Sequence, residues 1–345
     1  MTRGFKKFVL RTLLALLPVA VYVALYLVLD PFRVIRPYDG VAIPAGDTLH
    51  RIPNMRYIAL EGFKVYNPRE HYDSFIFGSS ISTNFFAADW KKHLPDSASV
   101  YHFTAAAQPL TGIRDELRWL VSHDVPVRHA LLVIEEEMLR RPKRYNEMPF
   151  VPHYEVSPEI NRLQFHMAHF NAYRDFEMFL YSIYPPLTLN HLIADNKVAL
   201  APSRRDEVLN EDYCTKEDSL LKADPEAFFS QSSLSWLKTI PVFPDPVPLS
   251  INASGEAVLR DIAAVLQEHH VDYVVILPPR YMCPALSEFD HALLYEIFGE
   301  SHVNDFTGDS VLVHDLNSYY DGVHVIASRC AELIDRSYER HGTEN

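Results

Sequence analysis

Ser74-Phe-Ile-Phe-Gly-Ser-Ser-Ile-Ser82 is the stretch on which the fold turns. Its short apolar run reads as a buried strand from Ser74 to Phe77. Gly78 predicts a tight turn, Ser79 and Ser80 follow, and a helical pattern begins near Ser82. A hydroxyl on such a turn stands at the C-terminal edge of a sheet. The backbone N–H groups beside it face the mouth of a helix, where negative charge is stabilised. Serine attack on an ester or thioester carbonyl needs both features, an exposed nucleophile and donors for the oxyanion. Gly-Ser-Ser after a strand also serves as a plain helix cap, so chemistry here requires a partner from elsewhere in the chain.

Working outward, Phe85, Phe86, Trp90 and Leu94 recur at helical spacing. Further strands are read at Val100-Tyr-His-Phe103, Ala130-Leu-Leu-Val-Ile134, Asp272-Tyr-Val-Val-Ile-Leu277 and His302-Val-Asn-Asp-Phe306. Amphipathic helices are read over Ile113 to Val121, Ala253 to His269, Leu286 to Phe298 and Ile326 to Tyr338. This alternation predicts a parallel sheet with helices on both faces. Ligands of such sheets bind beyond the carboxyl ends of the strands. Ser80, Ala105 to Gln108 and Glu135 to Glu137 all fall there.

The missing partner is sought in Leu316-Asn-Ser-Tyr-Tyr-Asp-Gly-Val-His324. Asp321 and His324 stand three apart at the entrance to the last helix and can face the same way. One carboxylate can then orient an imidazole that faces a serine. Helix capping by Asp321, with His324 merely exposed, accounts for the pair equally well.

At the other end, Arg3, Lys6, Lys7 and Arg11 precede an uncharged run from Thr12 to Leu29. Its 18 residues approach the roughly 20 needed to cross a bilayer. The run ends in Leu27-Val-Leu-Asp-Pro-Phe32 without a small-x-small cleavage site, which favours an uncleaved anchor over a signal peptide. Residues 1–30 are therefore expected to be a cytoplasmic tip and transmembrane helix. Tyr22 and Tyr26 would lie in the interfacial belt, and the main domain would be exported to the periplasmic or extracytoplasmic side.

Residues 31–70 hold Pro31, Pro37, Pro44, Pro53 and Pro68 with little periodicity and read as a stalk or lead-in, with Arg33, Arg36, Arg51 and Arg56 on its surface. Residues of about 140–250 break the alternation and read as an insertion. Ile160 to Tyr184 is helical, with a packing stripe of Phe165, His169, Tyr173, Phe176 and Phe179. Pro185 to Pro248 reads as loop, irregular at Tyr213-Cys-Thr-Lys-Glu-Asp218 and at Pro241-Val-Phe-Pro-Asp-Pro-Val-Pro248.

A length of 345 residues allows one large domain or two small ones. The net charge of −13 argues against a general nucleic-acid binder. Cys214, Cys283 and Cys330 fit neither a disulfide framework nor a zinc pattern. His166 and His169 have no third ligand nearby, and Glu135 to Glu137 have no His or Asp neighbour in sequence. No metal and no cofactor are expected, and the three glutamates read as a solvated or substrate-lining strand end.

Together these residues resemble the SGNH/GDSL hydrolase superfamily, in particular its membrane-anchored acyl-transfer branch. Gly78-Ser79-Ser80 resembles the family's first block, whose third position is the nucleophile, here Ser80. Asp321-Gly-Val-His324 resembles its last block, Asp-x-x-His. The resemblance covers about residues 70–140 and 250–340. It implies a flavodoxin-like three-layer sandwich of about five parallel strands over residues 71–345, with the insertion outside the match. It implies a catalytic triad of Ser80, His324 and Asp321, with Gly78, Ala106 and Gln108 at the oxyanion and substrate site. Similar proteins assist D-alanylation of teichoic acids or O-acetylate alginate and other exopolysaccharides beside membrane-bound O-acyltransferases. The expected function is a membrane-tethered serine acyltransferase or esterase. Its partners would be a polysaccharide or other acyl acceptor and an acyl donor supplied by a membrane-bound O-acyltransferase.

Two blocks depart from the pattern. The second block's glycine is replaced within Ala105 to Ala107, and Glu135 to Glu137 stand where the third block has asparagine. A missing oxyanion donor costs roughly 10²–10³ in rate, which fits slow, specific transfer. The alternative expectation is a catalytically inactive scaffold of the same fold that partners an acyltransferase or binds glycan.

Overall fold

The computed structural model describes residues 3–38, 54–143, 148–184, 187, 204–240 and 250–342. Seven strands are described: β1 Ser74–Gly78, β2 Val100–Thr104, β3 His129–Val133, β4 Arg204–Asp206, β5 Glu211–Tyr213, β6 Asp272–Leu277 and β7 Val303–Asp305. Five form one sheet in the order β2-β1-β3-β6-β7, and every pairing in it is parallel. β4 and β5 form a separate antiparallel pair. The helices that matter below are α1 Arg3–Leu29, α2 Met55–Glu70, α3 Leu110–Ser122, α4 Arg162–Tyr173, α5 Phe176–Ile183, α6 Ala253–Glu268, α7 Glu288–Phe298 and α8 Ala327–Gly342.

The near-continuous apolar strands follow from burial on both faces. Side chains alternate across the sheet, so Phe75, Phe77, Phe103, Leu132, Val275 and Leu277 pack with α2, α3, α6 and α7. Ile76, Leu131, Val133, Val274 and Ile276 enter the opposite core, with Ile81 to Trp90 and α8. Full burial of each such side chain stabilises the fold by about 1.5–3 kcal/mol. The chain runs from β1 to β2 on one side, then returns past β1 to start β3 on the other. Loops that leave β1 and β3 therefore diverge from adjacent strand ends and leave a crevice between them, a common ligand position in open α/β sheets.

Several boundaries differ from expectation. The strand read at His302 to Phe306 is shorter, because His302 closes a 3₁₀ turn with its Nδ1 2.8 Å from the Tyr273 carbonyl. The helical spacing of Phe85 to Leu94 resolves into a 3₁₀ turn, Ser80–Asn84, a short helix, Ala87–Trp90, and a second 3₁₀ turn, Lys91–His93. The stalk reading is corrected at its second half. Residues 55–70 are α2, capped by Asn54, and Ala59, Leu60 and Phe63 lie in the main core. Arg56 is not a surface residue; it is buried and donates to the carbonyls of Phe150 and Ala107. Pro44, Arg51 and Pro53 lie outside the described residues.

In the middle segment Phe165, His169 and Tyr173 are buried as expected, but Phe176 is 70% exposed and leaves the packing stripe. The loop reading fails for residues 204–240, which hold β4, β5 and the helices Thr215–Ala223 and Pro225–Phe229. Tyr213 to Asp218 is the end of β5 and the start of the first of these helices. The Pro241 to Pro248 run lies outside the described residues. α1 is long and apolar enough to cross a membrane, with only 6% of its apolar window buried.

Candidate active site

β1 continues through Gly78, and the chain then turns sharply. Two close approaches require glycine there. A Cβ at Gly78 would lie 2.5 Å from Ser82 Cβ and 3.0 Å from the Val133 carbonyl oxygen. Gly78 thus lets the serine turn pack directly against β3. Ser79 caps the 3₁₀ turn, its Oγ accepting from the Ile81 N–H. A buried net fixes this turn from below. Ser82 Oγ donates to the Ser79 carbonyl at 2.8 Å and lies 3.0 Å from His102 Nε2, and Thr104 Oγ1 donates to the same carbonyl.

The two serines point different ways. Ser79 is buried and donates to Glu135 Oε1 at 2.5 Å. Ser80 is half-buried, and its Oγ lies 3.0 Å from His324 Nε2. His324 Nδ1 lies 2.7 Å from Asp321 Oδ2. A carboxylate only accepts, so Nδ1 carries the proton and the neutral ring offers Nε2 to the Ser80 hydroxyl. Asp321 Oδ1 also accepts from the backbone N–H groups of Val323 and His324.

Asp321 and His324 do not stand on a helix turn, as expected, but in a loop closed by a Tyr319–Val325 bridge just before α8. Gly322 holds φ +82°, and Tyr281 N–H donates to its carbonyl at 3.0 Å. Asn84 is buried at the end of the nucleophile's turn and donates from Nδ2 to the Val325 carbonyl at 2.8 Å. That bond ties the serine turn to the histidine loop. From outside, Tyr320 donates its hydroxyl to Asp218, and Leu237 packs over Gly322. The 204–240 segment therefore braces the histidine loop.

Opposing influences set the protonation of the pair. Burial works hardest on His324 and disfavours the imidazolium, but the Asp321 hydrogen bond and charge, with Glu135, outweigh it and hold the pKa above the ordinary histidine value. Arg280, beyond the end of β6, pulls the other way. Burial likewise opposes ionisation of Asp321, yet its bonds from His324 and Val323 leave its pKa below the ordinary value.

The second loop, after β2, carries Ala106 exposed at its crest and Ala107 in a left-handed conformation, φ +51°. Gln108 does not line the site. Its buried amide turns inward and donates to Glu116 at 2.7 Å. Of the three glutamates only Glu135 engages the serine turn. Glu136 pairs with Arg140 and accepts from Ser250, and Glu137 pairs with Arg141. Sequence reasoning missed Asn84 and Arg280. Arg280 follows a strand end, a position that could have flagged it; Asn84 offered no such signal. Among the described residues, Glu61, His153 and Glu155 have the spacing of a metal site. Lys64 Nζ already stands 2.8 and 2.7 Å from the two carboxylates, where a cation would sit. No known family model matches the chain, and comparison with curated protein sequences yields no match.

Proposed function

We propose that the protein is a membrane-tethered serine acyltransferase or esterase of the SGNH type, acting on O-acyl groups of an envelope or extracellular polysaccharide. The observation that carries this reading is the unbroken chain Ser80 Oγ, His324 Nε2, His324 Nδ1, Asp321 Oδ2, at 3.0 and 2.7 Å. The strand order, with the sheet built outward from β1 in two directions, supports the flavodoxin-like sandwich that the reading implies. In it residues of about 140–250 are the insertion. The basic residues Arg3, Lys6, Lys7 and Arg11 before α1 support a cytoplasmic N-terminus and an exported domain.

In this mechanism His324 takes the Ser80 proton as Ser80 attacks the acyl carbonyl, and Asp321 stabilises the resulting imidazolium. The N–H groups of Ser80 and Ala106 hold the oxyanion. The bond from the carbonyl carbon to the donor's oxygen or sulfur breaks, and the leaving group takes its proton from His324. A sugar hydroxyl or water, deprotonated by the same ring, then removes the acyl group from Ser80. A membrane-bound O-acyltransferase is the donor partner this reading calls for.

One observation favours a second reading, an idle scaffold of the same fold. Glu135 brings a carboxylate beside the serine turn, near where negative charge must develop. A serine-directed fluorophosphonate tests the first reading on the full-length protein in detergent. Mass spectrometry should find an adduct on Ser80 in the wild type and in Ser79→Ala, and none in Ser80→Ala. A wild type without the adduct would overturn the enzymatic reading in favour of the scaffold.

A further inference from the structure

We propose that α4 and α5 form an apolar shelf lying in the membrane interface beside α1, so that the domain rests on the bilayer instead of swinging from a single tether. α1 is bare along most of its length and meets the rest of the protein at its C-terminal end. There Tyr22 donates its hydroxyl to the Tyr173 carbonyl at 2.7 Å, and its ring lies 5.3 Å from that of Phe179. Tyr26 packs on Phe170 at 5.2 Å and on Tyr173 at 5.0 Å. At 1.5 Å rise per residue, Tyr22 lies about 10 Å before Leu29 along the helix axis. The residues that touch Tyr22 therefore stand level with the last turns of a helix that has the length and composition of a membrane span.

The two helices extend this contact outward. On α4, Leu163 and Met167 share a face with Phe170 through i,i+3 and i,i+4 spacing, and both are exposed. On α5, Phe176 and Ile183 flank Phe179 about one turn to either side, and both are exposed. On α5 the residue that touches α1 thus stands between two bare apolar side chains, and on α4 it ends a row whose other two members are bare. Arg162, Asn171 and Arg174 are exposed on the same two-helix segment and offer donors to lipid phosphates, while Asp175 and Glu177, beside Phe176, are half-buried. An exposed apolar face is what a helix lying in the interfacial plane buries among the acyl chains. Lipid is the occupant that the continuity with α1 selects, since a bilayer around α1 already reaches this level. The inference does not depend on the catalytic reading.

The test uses the full chain in phosphatidylcholine/phosphatidylglycerol liposomes, with Cys214 and Cys283 replaced by serine. Bimane is attached at Phe176→Cys, Ile183→Cys or Leu163→Cys, with Leu220→Cys in the helix Thr215–Ala223 as the control. All four side chains are exposed, so each variant should keep the fold. The shelf labels should lose emission to nitroxide-bearing lipid and keep it in aqueous iodide, and the control should do the reverse. Quenching of the shelf labels by iodide would put the shelf in water. Protection from both quenchers would make it a contact between copies of the chain. Either result overturns the proposal.

Discussion

Ser80 Oγ and His324 Nε2 lie 3.0 Å apart although 244 positions separate them in the chain. Two elements bring them together, the 3₁₀ turn after β1 and the loop before α8. Because the contact depends on a ring whose Nδ1 proton is held by Asp321 at 2.7 Å, tautomer and geometry are coupled.

Asp321→Asn separates the two. The amide oxygen can still accept from the Val323 and His324 N–H groups, so the loop should persist. The amide nitrogen would face Nδ1 and donate to it, moving the ring proton to Nε2, which then cannot accept from Ser80. The rate of acyl transfer or of phosphonate labelling should fall by about 10⁴, the scale seen when a triad carboxylate is neutralised. Thermal stability should change little by comparison. A labelling rate within a few-fold of wild type would remove Asp321 from the triad.

The pH profile carries a signed expectation. His324 must be neutral to act as a base, and its pKa is raised above 6.5. The activity should therefore climb with pH along a limb centred above that value. Glu135 favours the imidazolium and Arg280 disfavours it. Glu135→Gln should move the limb to lower pH, and Arg280→Ala should move it higher. Ring-proton NMR of His324 reads the same shifts without turnover, and shifts of the same sign in both variants would refute the assignment.

How much of this is legible in the sequence depends on the kind of interaction. Strands β1, β3 and β6 announce themselves because a strand buried on both faces is a short unbroken apolar run. Asp321 and His324 are legible as a pair because their link is local. α2 is not legible, since Arg56, Tyr57, Ile58, Ala59, Leu60, Gly62 and Phe63 are all buried and burial on all sides leaves no stripe to read. Asn84 is hidden for another reason: its partner is a main-chain carbonyl 241 positions away, and no spacing rule reaches that far. The inward turn of Gln108 is not legible either, because the left-handed backbone at Ala107 that precedes it leaves no trace in an alanine.

Gly78→Ala tests how tightly the nucleophile's turn is packed. The added methyl group would meet Ser82 Cβ at 2.5 Å and the Val133 carbonyl oxygen at 3.0 Å. One neighbour is backbone in an adjacent strand, and the other belongs to the net beneath Ser79, so neither yields freely. Overpacking of this kind costs about 1–3 kcal/mol. Denaturant melts should register that loss, and Ser80 labelling should slow as well, because the strain falls on its own turn. A variant of wild-type stability and reactivity would mean that glycine is dispensable here.

Glu116 gives an expectation for stability alone. It lies away from the serine turn, buried, accepting from Gln108 at 2.7 Å. Burial is the dominant influence and lifts its pKa from 4.5 to about 8, against the pull of Arg56 and the Gln108 hydrogen bond. Between those two values the folded protein holds a proton that the unfolded chain releases. Stability contributed by this group is therefore full below the lower value and declines as pH rises toward the upper one. Glu116→Gln keeps an acceptor for the Gln108 amide and removes the titration. The variant should melt at a higher temperature than wild type at pH 8, and the gap should narrow steadily toward pH 5. A gap that is flat across this range, or that widens toward acid, would show that Glu116 ionises without cost in the folded protein.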